Sequence, residues 1–320
     1  MWRLKITVIG PGRWGSFLAW YLNTLNHEVT LYGRENSGNM RRFLTSRKND
    51  NITLSEKISL TTDLKSAVLS EIIVISVPSQ GLRNLLKELA QFSLNGKTVV
   101  LCMKGIEAGT GKRLSEIAKE YLKETNIAVW LGPGHVEDFT RGIPNCMVID
   151  SYSEEITKRL VDAFSSPLIR FYYGNDILGN EVGAAAKNVI GIAAGMLDGF
   201  SLSSLKGALM SRGTKEVSEL IKAMGGNPGS AYGLCHLGDY EATVFSPHSH
   251  NRTFGESFVK GEKYEKLAEG YYTACSLMEL SEKYNVDMPI CSAVYRILYE
   301  KFSPKEILAE LFSREIKTEN

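Results

Sequence analysis

Lys5-Ile6-Thr7-Val8-Ile9-Gly10-Pro11-Gly12-Arg13-Trp14-Gly15-Ser16-Phe17-Leu18 is the stretch that decides the fold. Lys5 to Ile9 reads as a strand, and Ser16 to Leu25 has the spacing of an amphipathic helix. Between them lies a Gly-x-Gly-x-x-Gly turn. Alone this motif is weak; with a strand before it and a helix after it, it points to a dinucleotide site. Gly10 permits the tight turn, Gly12 lets the backbone approach a pyrophosphate, and Gly15 lets helix and strand pack closely. The phosphates would rest on the unpaired amides of a helix N-terminus, where the dipole favours negative charge.

Working outward, short apolar runs alternate with helix-like segments up to about residue 175. The runs are Ile6 to Ile9, Val29 to Tyr32, Ile58 to Thr61, Ile72 to Val77, Thr98 to Cys102, Ala128 to Leu131, Cys146 to Ile149 and Leu168 to Tyr172. Several are continuous in Val and Ile, as strands covered on both faces require. The fold class expected is α/β: a Rossmann domain with a doubly wound, mostly parallel sheet over residues 1–176. After residue 176 no strand pattern remains. Glu181 to Met196, Ser204 to Met224 and Tyr264 to Tyr284 read as helices, so residues 177–320 are expected to be an all-helical substrate-binding and catalytic domain. Gly225 to Gly229 breaks two helices, and Ser313 to Asn320 reads as a frayed end.

The length of 320 residues suits two domains, and 43% apolar with 23% charged residues is an ordinary globular balance. Lys plus Arg number 37 against 36 Asp plus Glu, a net charge of +1. No global field is present to attract nucleic acid, so any bound anion must be held locally. Five cysteines form no Cys-x-x-Cys pair and leave an odd count, which argues against a disulfide framework and a zinc ribbon and for a reducing cytoplasm. No signal peptide or membrane span is expected. The Gly/Ala-rich run from Val182 to Leu209 carries Lys187, Asn188, Asp198 and Lys206, too many polar groups for lipid.

Several side chains attract chemical attention. After the second strand, Tyr32-Gly33-Arg34 stands where an NAD site usually has an acidic residue for the ribose hydroxyl. Arg34 would suit a 2′-phosphate, so NADPH is favoured. NAD stays open, since Glu35 follows, and Arg34 as a solvated surface charge is the plain alternative. Lys187 lies among small and apolar residues, in Ala184-Ala185-Ala186-Lys187-Asn188. Burial penalises its charge, so it is either paired and structural or a base with a lowered pKa. Lys104 follows the Thr98 to Cys102 strand, at the carboxyl end where ligands of open α/β sheets bind, unless it is only a loop charge. Gly238 to Thr243 and Ser249 to Arg252 gather polar groups between helices. A helix starting near Ser249 would offer amides to a phosphate, or be simply a capped start.

These pieces, in this order, resemble the NAD(P)-dependent glycerol-3-phosphate dehydrogenase family of bacterial type. The resemblance runs from residue 4 to about 310. It is carried by Gly10 to Gly15 with Trp14, Val77-Pro78, Lys104-Gly105, Gly132-Pro133, Ala186-Lys187-Asn188, Arg212-Gly213, Gly238-Asp239 and Ser249 to Arg252. It implies reversible NAD(P)H-dependent reduction of dihydroxyacetone phosphate to sn-glycerol 3-phosphate, supplying glycerophospholipid synthesis, in a cytoplasmic homodimer. By resemblance Lys187 is the acid/base, Lys104 holds substrate oxygens and stabilises alkoxide charge, and Asp239 and Thr243 tune the lysine. Substrate would be bound by Lys104, Gly132, Asn188, Ser249, His250 and Asn251. Cofactor would be bound by Gly10, Gly12, Arg13, Trp14, Gly15, Arg34, Pro78, Lys104, Arg252 and Glu269.

Three departures mark this chain. His250 replaces an arginine that pairs with phosphate in the family, and imidazole lacks that bidentate fork. Gly134 replaces a serine, removing a hydroxyl from the substrate side. Pro11-Gly12-Arg13 replaces Ala-Gly-Ser, placing a cation beside the pyrophosphate. The competing readings are a ketopantoate-type or other hydroxy-acid dehydrogenase and a non-catalytic dinucleotide sensor. Retention of Lys187, Lys104 and Asp239 argues against the sensor.

Overall fold

Ile6, Val8 and Ile9 are buried because the strand they form, β1 (Lys5–Ile9), lies inside an eight-stranded sheet. The computed structural model describes residues 3–316, 318 and 319. They form two compact units: one runs to Lys104 and resumes over Lys112–Glu181, and the other takes Gly105–Gly111 and Val182 onward.

In the first unit, β1 leads into α1 (Arg13–Thr24), followed by β2 (Glu28–Tyr32), α2 (Gly38–Ser46), β3 (Ser59–Thr61), α3 (Leu64–Ala67) and β4 (Ile72–Ile75). The chain continues through α4 (Leu82–Leu89), β5 (Thr98–Leu101), α5 (Leu114–Tyr121), β6 (Asn126–Leu131), α6 (Val136–Thr140), β7 (Asn145–Ser151), α7 (Glu154–Phe164) and β8 (Ile169–Tyr173). Every expected strand is present. The sheet order is β3-β2-β1-β4-β5-β6-β7-β8, parallel throughout except between β6 and β7. The order reverses at β1, which pairs with β2 on one side and β4 on the other. Ligands of open α/β sheets bind at this switch point, and the glycine turn sits there. The antiparallel step follows from the brief α6. Its Phe139 stacks on Phe17 of α1, 5.0 Å between ring centres, so the chain turns back without crossing the sheet. The core continues through Tyr21, Trp130, Phe164 and Phe171, with Trp130 edge-on to Phe171 at 4.8 Å.

The second unit is helical: α8 (Ile177–Gly199), α9 (Lys206–Ala223), α10 (His250–Lys260), α11 (Glu269–Tyr284), α12 (Pro289–Tyr299) and α13 (Pro304–Phe312). The unit boundary falls within α8, after Glu181, rather than at residue 176. The Glu181 carboxylate is tied to Arg113 Nη1 at 2.7 Å and to the Ser115 amide at 2.8 Å, which keeps the first turn of α8 with the sheet. Residues 105–111 depart to the second unit because α11 holds them: Ser276 donates to the Ile106 carbonyl at 3.2 Å, and the Gly109 amide to Glu279 at 2.9 Å. The helix expected from Tyr264 starts only at Glu269. The α10 helix ends at Gly261 in a left-handed turn (φ 71°), and residues 262–268 return as a loop. The Ser313 to Asn320 end has no helix where described, and Glu319 pairs with Arg212 at 2.9 Å; Lys317 and Asn320 lie outside the described residues. All five cysteines are thiols. Among the described residues no helix is long and apolar enough to cross a membrane.

Candidate active site

In the first unit the β1–α1 turn has the geometry a pyrophosphate needs. Gly10 has φ +112°, and a Cβ there would lie 2.1 Å from the Ser76 carbonyl oxygen of the neighbouring strand end. A Cβ on Gly15 would lie 1.9 Å from the Gly10 oxygen, whereas one on Gly12 would meet nothing within 4 Å. The first and third glycines therefore serve packing, and the second keeps the approach to the backbone open. Gly12 caps α1 without a side-chain bond, and no acidic residue stands in its first turn, so anion attraction at those amides is unopposed there. The turn fits a dinucleotide.

The two arginines assigned around it, Arg13 and Arg34, are engaged by carboxylates. Arg13 pairs with Glu137 of α6, which also accepts from Asn51 at 2.8 Å, so its guanidinium is held by protein rather than presented alone to a phosphate. Arg34 pairs with Glu88 at 2.5 Å, with both groups largely exposed. Trp14 packs on Phe17 and Phe139, and Pro78 is exposed after β4. Lys104 donates to the Gly132 carbonyl at 2.6 Å, joining the ends of β5 and β6. Gly134 has φ +155°, and a Cβ on it would lie 2.4 Å from Phe139 Cε2. The glycine is thus a packing requirement.

In the second unit, Lys187 is buried in the middle of α8. Its ammonium lies 2.9 Å from Asp239 Oδ2 and donates to Thr243 Oγ1 at 2.7 Å. Thr243 donates in turn to the Asp239 carbonyl at 2.7 Å. Asp239 ends a 3₁₀ turn, Leu237–Asp239, and Thr243 lies in a π-helical turn, Glu241–Phe245, of a kind that recurs at functional sites. The lysine is therefore paired, as its burial requires, by the two residues expected to tune it.

Asn188 and Asn251 also come together: Asn251 Nδ2 donates to Asn188 Oδ1 at 3.0 Å, and Asn251 Oδ1 accepts from the Gly270 amide at 2.9 Å. Ser249 caps α10, its hydroxyl accepting from the Arg252 amide at 3.3 Å. His250 turns its Nδ1 to the Tyr264 hydroxyl at 2.6 Å. Arg252 is held elsewhere in the unit, by Asp198 at 2.8 Å, Glu256 at 3.0 Å and the Ser246 carbonyl at 3.1 Å. Lys206 shares Asp198 at 2.7 Å, so the Arg252 guanidinium joins a structural ion cluster rather than replacing the arginine absent at His250. Glu269 opens α11, where its charge suits the helix dipole.

Sequence reasoning did not single out Tyr264, His236 or the carboxylates Glu137 and Glu88. Nothing local marks them: Glu137 is 124 residues from Arg13, and Glu88 is 54 from Arg34.

The chain matches two family models, described as NAD-dependent glycerol-3-phosphate dehydrogenase N-terminus, over residues 5–157, and C-terminus, over residues 176–309. It is 37% identical to a glycerol-3-phosphate dehydrogenase (NAD(P)+) of Fusobacterium nucleatum, over 99% of this chain and 98% of that one. A Thermoanaerobacter protein of the same name is also 37% identical, over 99% of each chain. Among solved structures, that of glycerol-3-phosphate dehydrogenase from Coxiella burnetii superposes with a TM-score of 0.91 at 27% identity, covering 98% of this chain and 99% of that one.

Proposed function

The chain belongs to the NAD-dependent glycerol-3-phosphate dehydrogenase family, and from that premise we infer that it is an oxidoreductase interconverting dihydroxyacetone phosphate and sn-glycerol 3-phosphate. The ketopantoate-type alternative gives way to it, because relatives alike over the full chain carry the other name. NADPH or NADH, when bound, supplies the hydride. Gly10, Gly12, Gly15 and the α1 amides would hold its pyrophosphate, with Trp14, Pro78, Lys104 and Glu269 in the wider cofactor set. An exposed ion pair such as Arg34–Glu88 contributes only about 0–1 kcal/mol, so a 2′-phosphate could displace Glu88 from Arg34. That supports NADPH as the preferred form.

The observation that carries the reading is the buried Lys187, held by Asp239 and Thr243. Lys187 gives a proton to the substrate oxygen in reduction and removes it in oxidation. Asp239 keeps the ammonium in place, and Thr243 fixes its direction. Lys104 holds substrate oxygens and stabilises developing alkoxide charge, with Gly132 beside it. Asn188, Asn251, Ser249 and His250, with the first amides of α10, bind the substrate phosphate. The glycine turn that would take the cofactor lies in the first unit, and Lys187 with its partners in the second. We place the enzyme in the cytoplasm as a homodimer, on family resemblance; sedimentation of the purified chain tests the dimer. Steady-state kinetics with dihydroxyacetone phosphate and both reduced cofactors tests the assignment. Lys187→Ala is expected to lower kcat by about 10²–10⁴-fold, the usual worth of a general acid or base, with NADPH binding retained. Undiminished turnover would remove Lys187 from this role.

A further inference from the structure

His236 is fully buried and has no part in the assignments above. Its Nδ1 lies 2.9 Å from the Gly183 carbonyl oxygen and its Nε2 2.7 Å from the Tyr240 hydroxyl. A carbonyl only accepts, so Nδ1 carries the proton and Nε2 accepts from the tyrosine. Thr214 Oγ1 lies 3.5 Å from the Tyr240 oxygen. One imidazole thus ties α8 to the turns after Leu237.

Both ends of this link lead to Lys187. Gly183 stands one turn before Lys187 on α8, and in regular helix its carbonyl is the acceptor of the Lys187 amide. On the other side, the Asp239 amide donates to the His236 carbonyl at 3.0 Å, and the Thr243 amide to the Tyr240 carbonyl at 3.1 Å. The two residues that bond the Lys187 ammonium therefore hang from the backbone of His236 and Tyr240. Burial keeps the imidazole neutral, its pKa pushed down to about 4, and the nearby Lys187 adds to that direction while Asp239 opposes it. A neutral bridge adds no like charge beside the ammonium.

We infer that His236, braced by Tyr240, is a positioning residue that sets Asp239 and Thr243 against Lys187 by fixing their turn to the Gly183 carbonyl. The inference rests on Lys187 as the acid/base. The test uses the full chain and compares kcat across pH for His236→Leu, His236→Asn and Tyr240→Phe. Asparagine places an amide nitrogen where Nδ1 stands and keeps the bond to Gly183. His236→Leu is expected to lower kcat about tenfold and to displace the lysine-dependent limb of the kcat–pH profile, with the Michaelis constant for NADPH within twofold. His236→Asn should restore most of both losses, and Tyr240→Phe should fall between. Equal losses in the Leu and Asn variants, or profiles that superimpose on the wild type, overturn the inference. If His236→Leu does not fold, Tyr240→Phe decides: a displaced profile supports the role, and an unchanged profile ends it. Lys187→Ala in the same assay separates the two claims. Retained turnover there refutes the acid/base assignment, whereas an inactive Lys187→Ala beside unshifted His236 variants refutes the positioning role alone.

Discussion

At Gly134 the backbone (φ +155°) and the Phe139 ring both exclude a side chain. From the sequence alone, this glycine is the loss of a substrate-side hydroxyl relative to the family. In the fold it is what lets Phe139 stack on Phe17 and close the aromatic core over α1. Restoring the hydroxyl with Gly134→Ser is therefore expected to destabilise the chain by about 1–3 kcal/mol, through strain and overpacking, without lowering the Michaelis constant for dihydroxyacetone phosphate. Thermal melting and substrate kinetics check the two halves; a stable variant with tighter substrate binding would restore the hydroxyl's functional role. Residue types were the legible part of the site. Lys187 was marked by its apolar surroundings, and its need for a partner followed from burial. The cations were marked too, but not what neutralises them, because Arg13, Arg34 and Arg252 each find an acid that only the fold brings near.

The helix that carries Lys187 owes its place to small residues at four-residue intervals. A Cβ on Gly191 would lie 2.6 Å from Thr243 Cγ2, one on Gly195 would lie 1.9 Å from the Arg252 carbonyl oxygen, and one on Gly199 would lie 2.3 Å from a Val259 methyl. On the facing helix, a Cβ on Gly255 would lie 2.1 Å from the Ile192 oxygen. Helices α8 and α10 thus meet backbone to backbone, which sets Asn188 against Asn251. The Gly/Ala content of Val182 to Leu209 was visible as a sequence signal. Its direction was not, because helical spacing does not say which partner fills the groove. Gly195→Ala forces two backbones apart, and an overpacking cost of about 1–3 kcal/mol at ~2–4 °C per kcal/mol gives a fall in Tm on the order of 5 °C. It should also raise the substrate Michaelis constant, since Asn251 moves with α10. An unchanged Tm would show that the helices relax freely. The strands are legible because continuous Val and Ile runs have few alternatives; α12 and α13 are less so because they are short, 11 and 9 residues, although Pro289 and Pro304 mark their starts.

Across the whole molecule, two buried groups of the helical unit carry opposed pH dependences of stability. Glu216 of α9 accepts from the amides of Ile290 at 2.9 Å and Cys291 at 3.0 Å, stopping the open N-terminus of α12. Burial outweighs those bonds and pushes its carboxyl up to about 7. Between its ordinary value of 4.5 and 7, the folded chain holds a proton the unfolded chain has lost, so stability falls as pH rises. His236 is shifted the other way, from 6.5 down to about 4, mainly by burial. Between those values the unfolded chain holds the extra proton, so stability falls as pH drops. From pH 4.5 to 6.5 the two slopes oppose, each about 1.4 kcal/mol per pH unit, and their sum is close to level. Glu216→Gln leaves the histidine slope alone, so its Tm should fall on acidification across this window. His236→Asn leaves the glutamate slope, so its Tm should rise. Calorimetric melting in parallel buffers distinguishes them, and matching pH slopes in wild type and both variants would mean that neither group titrates differently in the folded state.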